Sequence, residues 1–591
     1  MLDHVRKMRR AASRGVSKPP ADPGGLPPDT PVSPELDRTL DSVKRYLDST
    51  SGLKARHLNV AGRASAILYI EQIVDKPRLE SGLILPLQQA HGCHTPDSVL
   101  QEIVPSTSGR EVHTIHDIVW AILDGDSILV CEGWPRALAF DIRGGDKRPI
   151  SEPEMEVTIK GPRQSFVEDV NTNLAMIRRK IRHPSLRLMS LTIGNLSRTK
   201  VFMLYIQGIA RPDVVAEVFS RLSRIDIDAV EDTGYLVEFI EDSPMSPFPQ
   251  VGVSERPDRV TAGLSQGRVA VLVDGSPFAM MVPFPAVAFL QSPDDSYERW
   301  PLTLITRVTR LASVLISIFF PAFYVALTTF HQEIIPRHLA LTIAVQREQV
   351  PYPVLVECFA LIAVFEIVTE ASVRLPRAMG QTIGIVGTLV IGESAVRANL
   401  TSNVTVIVIA TTAVAQFTVP PGFTTTIRLL RLPLLVLGSS LGLYGVFAGT
   451  ILILLHVASL RCVGLPYLYP YSPLSTEDLG DASIRLPWWT HTKRPVITAE
   501  ANVVRIRRGK LRNRRKTRVA CWNSKREDSL QDGRRTNRHG GELQSDVRLP
   551  GEREAAPPCR GCGNTGRVSP LLWMLGPHRD QRSEHHRSTR R

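Results

Sequence analysis

Leu311-Ala-Ser-Val-Leu-Ile-Ser-Ile-Phe-Phe-Pro-Ala-Phe-Tyr-Val-Ala-Leu-Thr-Thr-Phe330 is a run of 20 residues without a formal charge. At about 1.5 Å per helical residue it reaches about 30 Å, the thickness of a bilayer's hydrocarbon core. Ala398 to Pro421 and Leu432 to Leu455 are two further uncharged runs, of 24 residues each. Four to five hydrophobic segments therefore follow a long water-soluble region, and the chain is expected to be an integral membrane protein. The expected fold is an α/β cytoplasmic N-terminal region of two related subdomains, an α-helical transmembrane bundle, and a disordered basic C-terminal tail.

The other two segments are less regular. Pro351 to Val373 carries Glu357, Glu366 and Glu370 among apolar residues. A carboxylate at bilayer depth is costly unless it faces water or a partner, so these three are the candidate pore-lining residues. Glu366 and Glu370 are four apart on one helix face, and Glu357 points roughly the other way. The alternative is that they pair with Arg374, Arg377 or Arg397 and hold the bundle together. Ala378 to Gly392 has only 15 residues and carries Gly380, Gly384, Gly387 and Gly392, so a re-entrant or broken helix competes with a span. In the last segment Gly438, Gly442, Gly445 and Gly449 recur at spacings of 4, 3 and 4. Small residues so placed are candidates for close helix packing in lipid.

The soluble region repeats itself. Gly125-Asp-Ser-Ile-Leu-Val-Cys-Glu-Gly133-Trp-Pro135-Arg-Ala137 aligns without a gap on Gly267-Arg-Val-Ala-Val-Leu-Val-Asp-Gly275-Ser-Pro277-Phe-Ala279. Each copy predicts strand, Gly-x-Pro turn, strand, because Gly supplies positive φ and Pro cannot donate inside a ladder. Upstream, Ile67-Leu-Tyr-Ile70 matches Met203-Leu-Tyr-Ile206, so order and spacing both persist. Duplication is the better reading of the two matches together. The expected units are a disordered leader 1–35, subdomains 36–150 and 151–299, a membrane region 300–473, and a tail 474–591.

Charge is segregated. Positions 501 to 591 hold 20 Arg and 3 Lys against 9 acidic residues, net +14, which leaves 48 basic and 49 acidic residues, net −1, for the rest. The basic balance is therefore a property of the tail, which could meet anionic lipid headgroups, and no nucleic-acid partner is expected. That tail is depleted of aliphatic residues, and its abrupt change of composition also fits translation out of frame. The seven Cys have no regular spacing, which argues against a disulfide framework. Arg299, Arg307 and Arg310, just before the first span, favour a cytoplasmic N-terminal side.

No enzyme signature stands out: there is no phosphate-binding loop, no HExxH and no GxSxG elbow. No catalytic residue, cofactor or metal is expected. Glu156, Arg163, Glu168, Glu255, Arg256 and Asp258 are expected to be solvated or paired on the surface. Cys559-Arg-Gly-Cys562 could be half of a zinc knuckle with Cys521, His578, His585 or His586, but a single CxxC is weak.

Several stretches resemble the spore germinant receptor A-subunit (GerA) family. They are Glu156-Val-Thr-Ile-Lys-Gly161-Pro162-Arg163-Gln-Ser-Phe166-Val-Glu168, Asn171-Thr-Asn173-Leu, Ser243-Pro-Met-Ser-Pro-Phe-Pro-Gln250 and Glu255-Arg-Pro-Asp258. His331-Gln-Glu-Ile-Ile-Pro336, Arg347-Glu-Gln-Val-Pro-Tyr-Pro353, Phe365-Glu-Ile-Val-Thr-Glu370, Arg374-Leu-Pro-Arg377 and Gly464-Leu-Pro-Tyr467 continue it in order, from about Asp41 to Pro473. The resemblance implies a spore inner-membrane protein that acts with a permease-like B subunit and a lipoprotein C subunit to sense nutrients. It also implies a homo-oligomeric, ligand-gated channel for monovalent cations, with the nutrient pocket mainly in the B subunit.

Overall fold

The computed structural model describes residues 30–47, 52–60, 62–90, 95–104, 109–144, 152–374, 392–482, 485–490, 492–499 and 504–505. The first sheet unit runs α1 (Leu36–Leu47), β1 (Leu53–Val60), β2 (Arg63–Ile70), helical stretches over 76–89 and 96–103, β3 (Gly109–Val112), α2 (Ile115–Asp124), β4 (Ser127–Cys131) and β5 (Ala137–Phe140). The second runs α3 (Val170–Lys180), β6 (Leu186–Ile193), β7 (Thr199–Ile206), α4 (Pro212–Ser223), α5 (Thr233–Ile240), β8 (Gly252–Ser254), α6 (Pro257–Ser265), β9 (Val269–Val273) and β10 (Ala279–Val282).

The sheets are ordered β1-β2-β4-β5-β3 and β6-β7-β9-β10-β8, the same topology twice. Every ladder is antiparallel, so the alternation of strands and helices builds hairpins rather than parallel crossovers. Ile67 pairs with Leu129 in the first sheet, and their counterparts Met203 and Val271 pair in the second. The matched glycines share a backbone state: Gly125 and Gly267 have φ of 101° and 91°, and Gly133 and Gly275 have 83° and 92°. β4 and β9 are buried along their whole length, each under helices on both faces. Such fully apolar runs are what a central strand requires.

Helix ends are fixed locally. Thr114 caps α2 by accepting from the Asp117 N–H at 3.0 Å. Asp169 caps α3 by accepting from the Thr172 N–H at 2.9 Å. Each such cap satisfies a backbone donor that would otherwise be orphaned. The stretch expected to be a disordered leader ends in ordered chain, since Val32 is buried and donates its N–H to His113 O at 3.0 Å.

The membrane region comprises α7 (Trp300–Thr329), α8 (Arg337–Arg347), α9 (Val354–Arg374), α10 (Asn403–Phe417), α11 (Pro421–Leu441) and α12 (Leu443–Ser459). Among the described residues α7 alone is long and apolar enough to cross a bilayer, while α10 and α12 are apolar but have 15 and 17 residues. Two expected spans are thereby corrected. The Ala398–Pro421 run gives a shorter helix because Ser402 caps α10 through Thr405 N–H. The Leu432–Leu455 run is broken at Gly442, whose φ of +61° and ψ of −144° suit only glycine. The chain reverses there and α12 folds back along α11, putting Gly449 against Leu434 and Gly445 against Leu437. The short glycine-rich segment Ala378–Gly392 lies outside the described residues apart from Gly392. Leu315, Phe320, Phe359, Ile367, Val414, Val436, Leu452 and Leu455 are exposed, an apolar exterior that a soluble bundle would hide.

The bundle joins the second sheet unit at both ends of the chain's passage. Arg310 of α7 donates to Leu290 O at 2.7 Å and pairs with buried Asp295 at 3.2 Å, and Arg307 reaches the same carboxylate at 3.0 Å. These two arginines are thus structural partners of Asp295, which weakens them as a signal of membrane orientation. After α12, a two-stranded hairpin of β11 (Arg461–Cys462) and β12 (Leu465–Pro466) returns to the soluble region. There the Cys462 thiol donates to Gln250 O at 2.8 Å, and Ala286 N–H donates to Tyr467 O at 2.9 Å. The segment expected to begin a disordered tail continues through α13 (Thr476–Ala482) to Thr498, which donates to Gln266 O at 2.5 Å.

Candidate functional site: charged clusters in the helical bundle

The three glutamates of α9 occupy three different environments. Glu357 is buried against α10, where one carboxylate oxygen accepts from Ser402 N–H at 3.1 Å, Thr405 Oγ1 at 3.0 Å and Thr401 Oγ1 at 3.3 Å. Tyr324 of α7 extends this polar knot through Thr405 at 3.1 Å. The other oxygen faces Arg347 at 3.6 Å, beyond hydrogen-bond reach. This is the geometry of a brace between α8, α9 and α10.

Glu366, nine residues on, turns to α11. Its carboxylate lies 3.3 Å from Arg428 and 3.9 Å from Arg431. Arg431 is buried, donates to Ser317 O at 3.1 Å and makes a short hydrogen bond with Gln416. The cluster thus links α7, α9, α10 and α11, with two guanidinium groups to one carboxylate. Glu370 is exposed and pairs with Arg374 one turn on, at 2.7 Å. Of the expected arginine partners among the described residues, Arg374 serves. Arg397 pairs with Glu393 instead, and Arg377 lies outside the described residues. Arg428 and Arg431 escaped the sequence reading because positions 422–431 separate two uncharged runs and look like a loop. Pro421 at the first helical position is the signal that a helix begins there.

The four glycines do not share one helix face, because Gly442 is the turn itself. A Cβ on Gly438 would come within 2.8 Å of Ala322 O on α7, and one on Gly442 within 2.7 Å of the His331 ring. On Gly445 it would meet Leu437 O at 2.1 Å, and on Gly449 Leu434 at 2.7 Å. Gly438, Gly445 and Gly449 mark close helix approaches, and Gly442 a close approach at the turn, which is where the absence of a side chain matters.

In the soluble region the expected surface charges form a buried network. Arg256 is wholly buried and donates to Asp258 at 2.9 Å, Thr158 Oγ1 at 2.8 Å and Pro162 O at 2.8 Å. Glu156 takes Arg259 in a close ion pair, and Glu255 accepts from the Met155 and Glu156 N–H groups at 2.6 and 2.7 Å. Tyr297 donates to Asp258 at 2.5 Å, and its burial together with that carboxylate raises the phenol's pKa. Arg163 and Glu168 fit the surface expectation: both are exposed, and Arg163 pairs with Glu152 at 3.4 Å. Glu168 contributes its backbone carbonyl to Gly275 N–H at 2.9 Å. Among the described residues no cluster of metal-ligating side chains occurs, and the Cys559–Cys562 pair lies outside them.

Twin sheets on a helical bundle with an apolar exterior, one of whose helices is long enough to cross a bilayer, are the features of a membrane-associated protein. Residues 41–497 match the family described as Bacillus/Clostridium GerA spore germination protein, and the chain belongs to that family. It is 37% identical over 481 residues to spore germination protein KA of Bacillus subtilis, covering 80% of this chain and 88% of the relative. It is also 37% identical over 458 residues to spore germination protein GerLA of Bacillus cereus, covering 76% and 93%. The crystallised N-terminal domain of the A subunit of the Bacillus megaterium spore germinant receptor GerK3 matches with 32% identity and a TM-score of 0.35, over 43% of this chain and 97% of that domain.

Proposed function

We propose that the chain is the A subunit of a nutrient germinant receptor in the inner spore membrane, with its twin-sheet region in the cytoplasm. Several copies of its bundle surround a ligand-gated conduit that releases monovalent cations to start germination. A permease-like B subunit and a lipoprotein C subunit complete the receptor. The shared sheet topology and matched registers support descent of the two soluble subdomains from one ancestor.

The observation that carries the conduit is the cluster of Glu366, Arg428 and Arg431 inside helices whose outer faces are apolar. Charges at that depth are expensive in lipid and are kept where they face water, a partner or each other. Glu370 and Arg374 project from α9 fully into the surroundings, with 60% and 78% of their side chains exposed. In a lone bundle that pair would meet lipid or headgroups. In an oligomer it lines a polar path between copies.

A second reading, a receptor scaffold without a pore, is favoured by one fact: each of the three glutamates already has an arginine beside it. The two readings separate in liposomes loaded with K⁺ and carrying the full chain with and without its B and C partners. Nutrient-dependent efflux supports the conduit. Silence in every arm, with a receptor that still assembles, supports the scaffold.

A further inference from the structure

The loop between α5 and β8 contains Ser243-Pro-Met-Ser-Pro-Phe-Pro-Gln250, and no charged residue occurs from Ser243 to Ser254. Its base is rigid. Buried Gln250 accepts from the Asp242 and Ser243 N–H groups at 3.0 and 3.2 Å and donates to Ser243 O at 2.9 Å. Its flank is tied to the bundle: Thr426 of α11 donates to Pro247 O at 2.6 Å, and Ser246 Oγ lies 2.9 Å from His456 Nε2 of α12. Phe248 is buried between the rings of Phe423 and His456. Between these ties Met245 projects with 96% of its surface exposed.

The depth of that loop follows from the helices it touches. α11 runs alongside α7, with Gly438 against Ala322 and Arg431 bonded to Ser317 O. Those contacts set offsets of 116 and 114 residues, which bring Thr426 level with residues 310 to 312. Leu311 is the first residue of the uncharged run of α7. Pro247, on Thr426, is therefore level with the start of that apolar run, where a headgroup boundary would fall, and on the α12 side the neighbouring Leu454 and Leu455 are exposed.

We propose that the 243–248 loop is an interfacial membrane anchor, with Met245 seated in the lipid at the headgroup boundary. The occupant is the bilayer itself. The loop offers an uncharged, apolar tip and no side-chain carboxylate or ammonium that would select a charged partner, and taking a methionine's apolar surface out of water is favourable. This inference rests on the bundle being a membrane domain, and it adds a second contact through which the soluble region is held against the bilayer.

The test uses the full chain in phosphatidylcholine nanodiscs containing 5-doxyl lipid, with an environment-sensitive fluorescent amino acid placed singly at position 245, 452 or 196. Leu452 lies on the exposed face of α12, and Leu196 is an exposed residue of the β6–β7 turn. The expected result is several-fold stronger quenching by doxyl lipid at 245 than at 196, matching 452, with little quenching by aqueous iodide. Iodide quenching at 245 with lipid quenching at 452 overturns the anchor and leaves the membrane domain standing. Protection of 245 from both quenchers overturns it in favour of a protein neighbour. Iodide quenching at 452 as well overturns both.

Discussion

Glu366 on α9 and Arg428 on α11 stand 3.3 Å apart, and the same carboxylate lies 3.9 Å from Arg431. The pair joins two residues 62 positions apart in sequence, on two different helices, and it leaves one guanidinium in excess. Replacing Glu366 by Gln strands two cations in the bundle. Glu366 and Arg428 keep 30% and 37% of their side chains exposed, so the loss should fall below the about 3–5 kcal/mol of a fully buried pair. The expected outcome is a lower melting temperature in detergent together with altered K⁺ efflux. The swap Glu366→Arg with Arg428→Glu should recover the melting temperature, and failure to recover either property would remove the pair from the argument.

Glu357 is a brace rather than a path-lining residue in this geometry. Glu357→Ala leaves the Ser402 N–H without its acceptor in a buried site, a loss on the order of 1–3 kcal/mol. Thermal unfolding should shift down strongly, while the cation selectivity of whatever protein survives stays unchanged. A selectivity change without destabilisation would return Glu357 to the conduit.

At Gly442 a side chain is opposed twice, by the φ of +61° and by His331 and Phe330 within 3.0 Å of an added Cβ. Gly442→Ala should cost on the order of 1–3 kcal/mol through backbone strain alone. Gly392→Ala, where the nearest atom would lie 3.7 Å away, should be close to neutral. Comparing the two melting temperatures checks the turn.

Cys462 is buried at the joint between bundle and second sheet, and that burial pushes its thiol up to about 12. In native protein near pH 8 it should resist maleimide, and it should react once the chain is unfolded. Rapid labelling under native conditions would mean that the joint opens readily.

Asp169 caps α3. Its burial raises the carboxyl's pKa, but hydrogen bonds from Thr172 and Asn171 outweigh that and leave it below the ordinary value. The stabilisation is therefore present above the unfolded carboxylate pKa of about 3.9 and fades as pH falls through the lower folded value. Asp169→Ala should cost about 1 kcal/mol at neutral pH. The difference from the unmodified chain should shrink in acid, which urea titrations at pH 7 and pH 3 would measure.

The twin sheets were legible because Gly-x-Pro between two apolar runs has few other solutions, and the match recurred with its spacing. The direction of the ladders was not legible, since strands alternating with helices fit parallel and antiparallel sheets alike. In the bundle, the carboxylates announced themselves by standing in apolar sequence. Their partners did not, because Arg428 and Arg431 fell between uncharged runs and no local rule reveals which distant helix lies opposite. Gly442 was misassigned for a related reason: regular glycine spacing fits a packing face, and a sharp reversal inside an apolar run carries no polar signal.

The reversal at Gly442 has a practical corollary for anyone mapping this protein in a living spore. Because α12 comes back beside α11 and hands the chain to Gln250 and Ala286, a protease site or reporter inserted near residues 485–490 samples the same compartment as one inserted near Ser243. Disagreement between two such insertions would report a misassembled hairpin before any assay of germination was run.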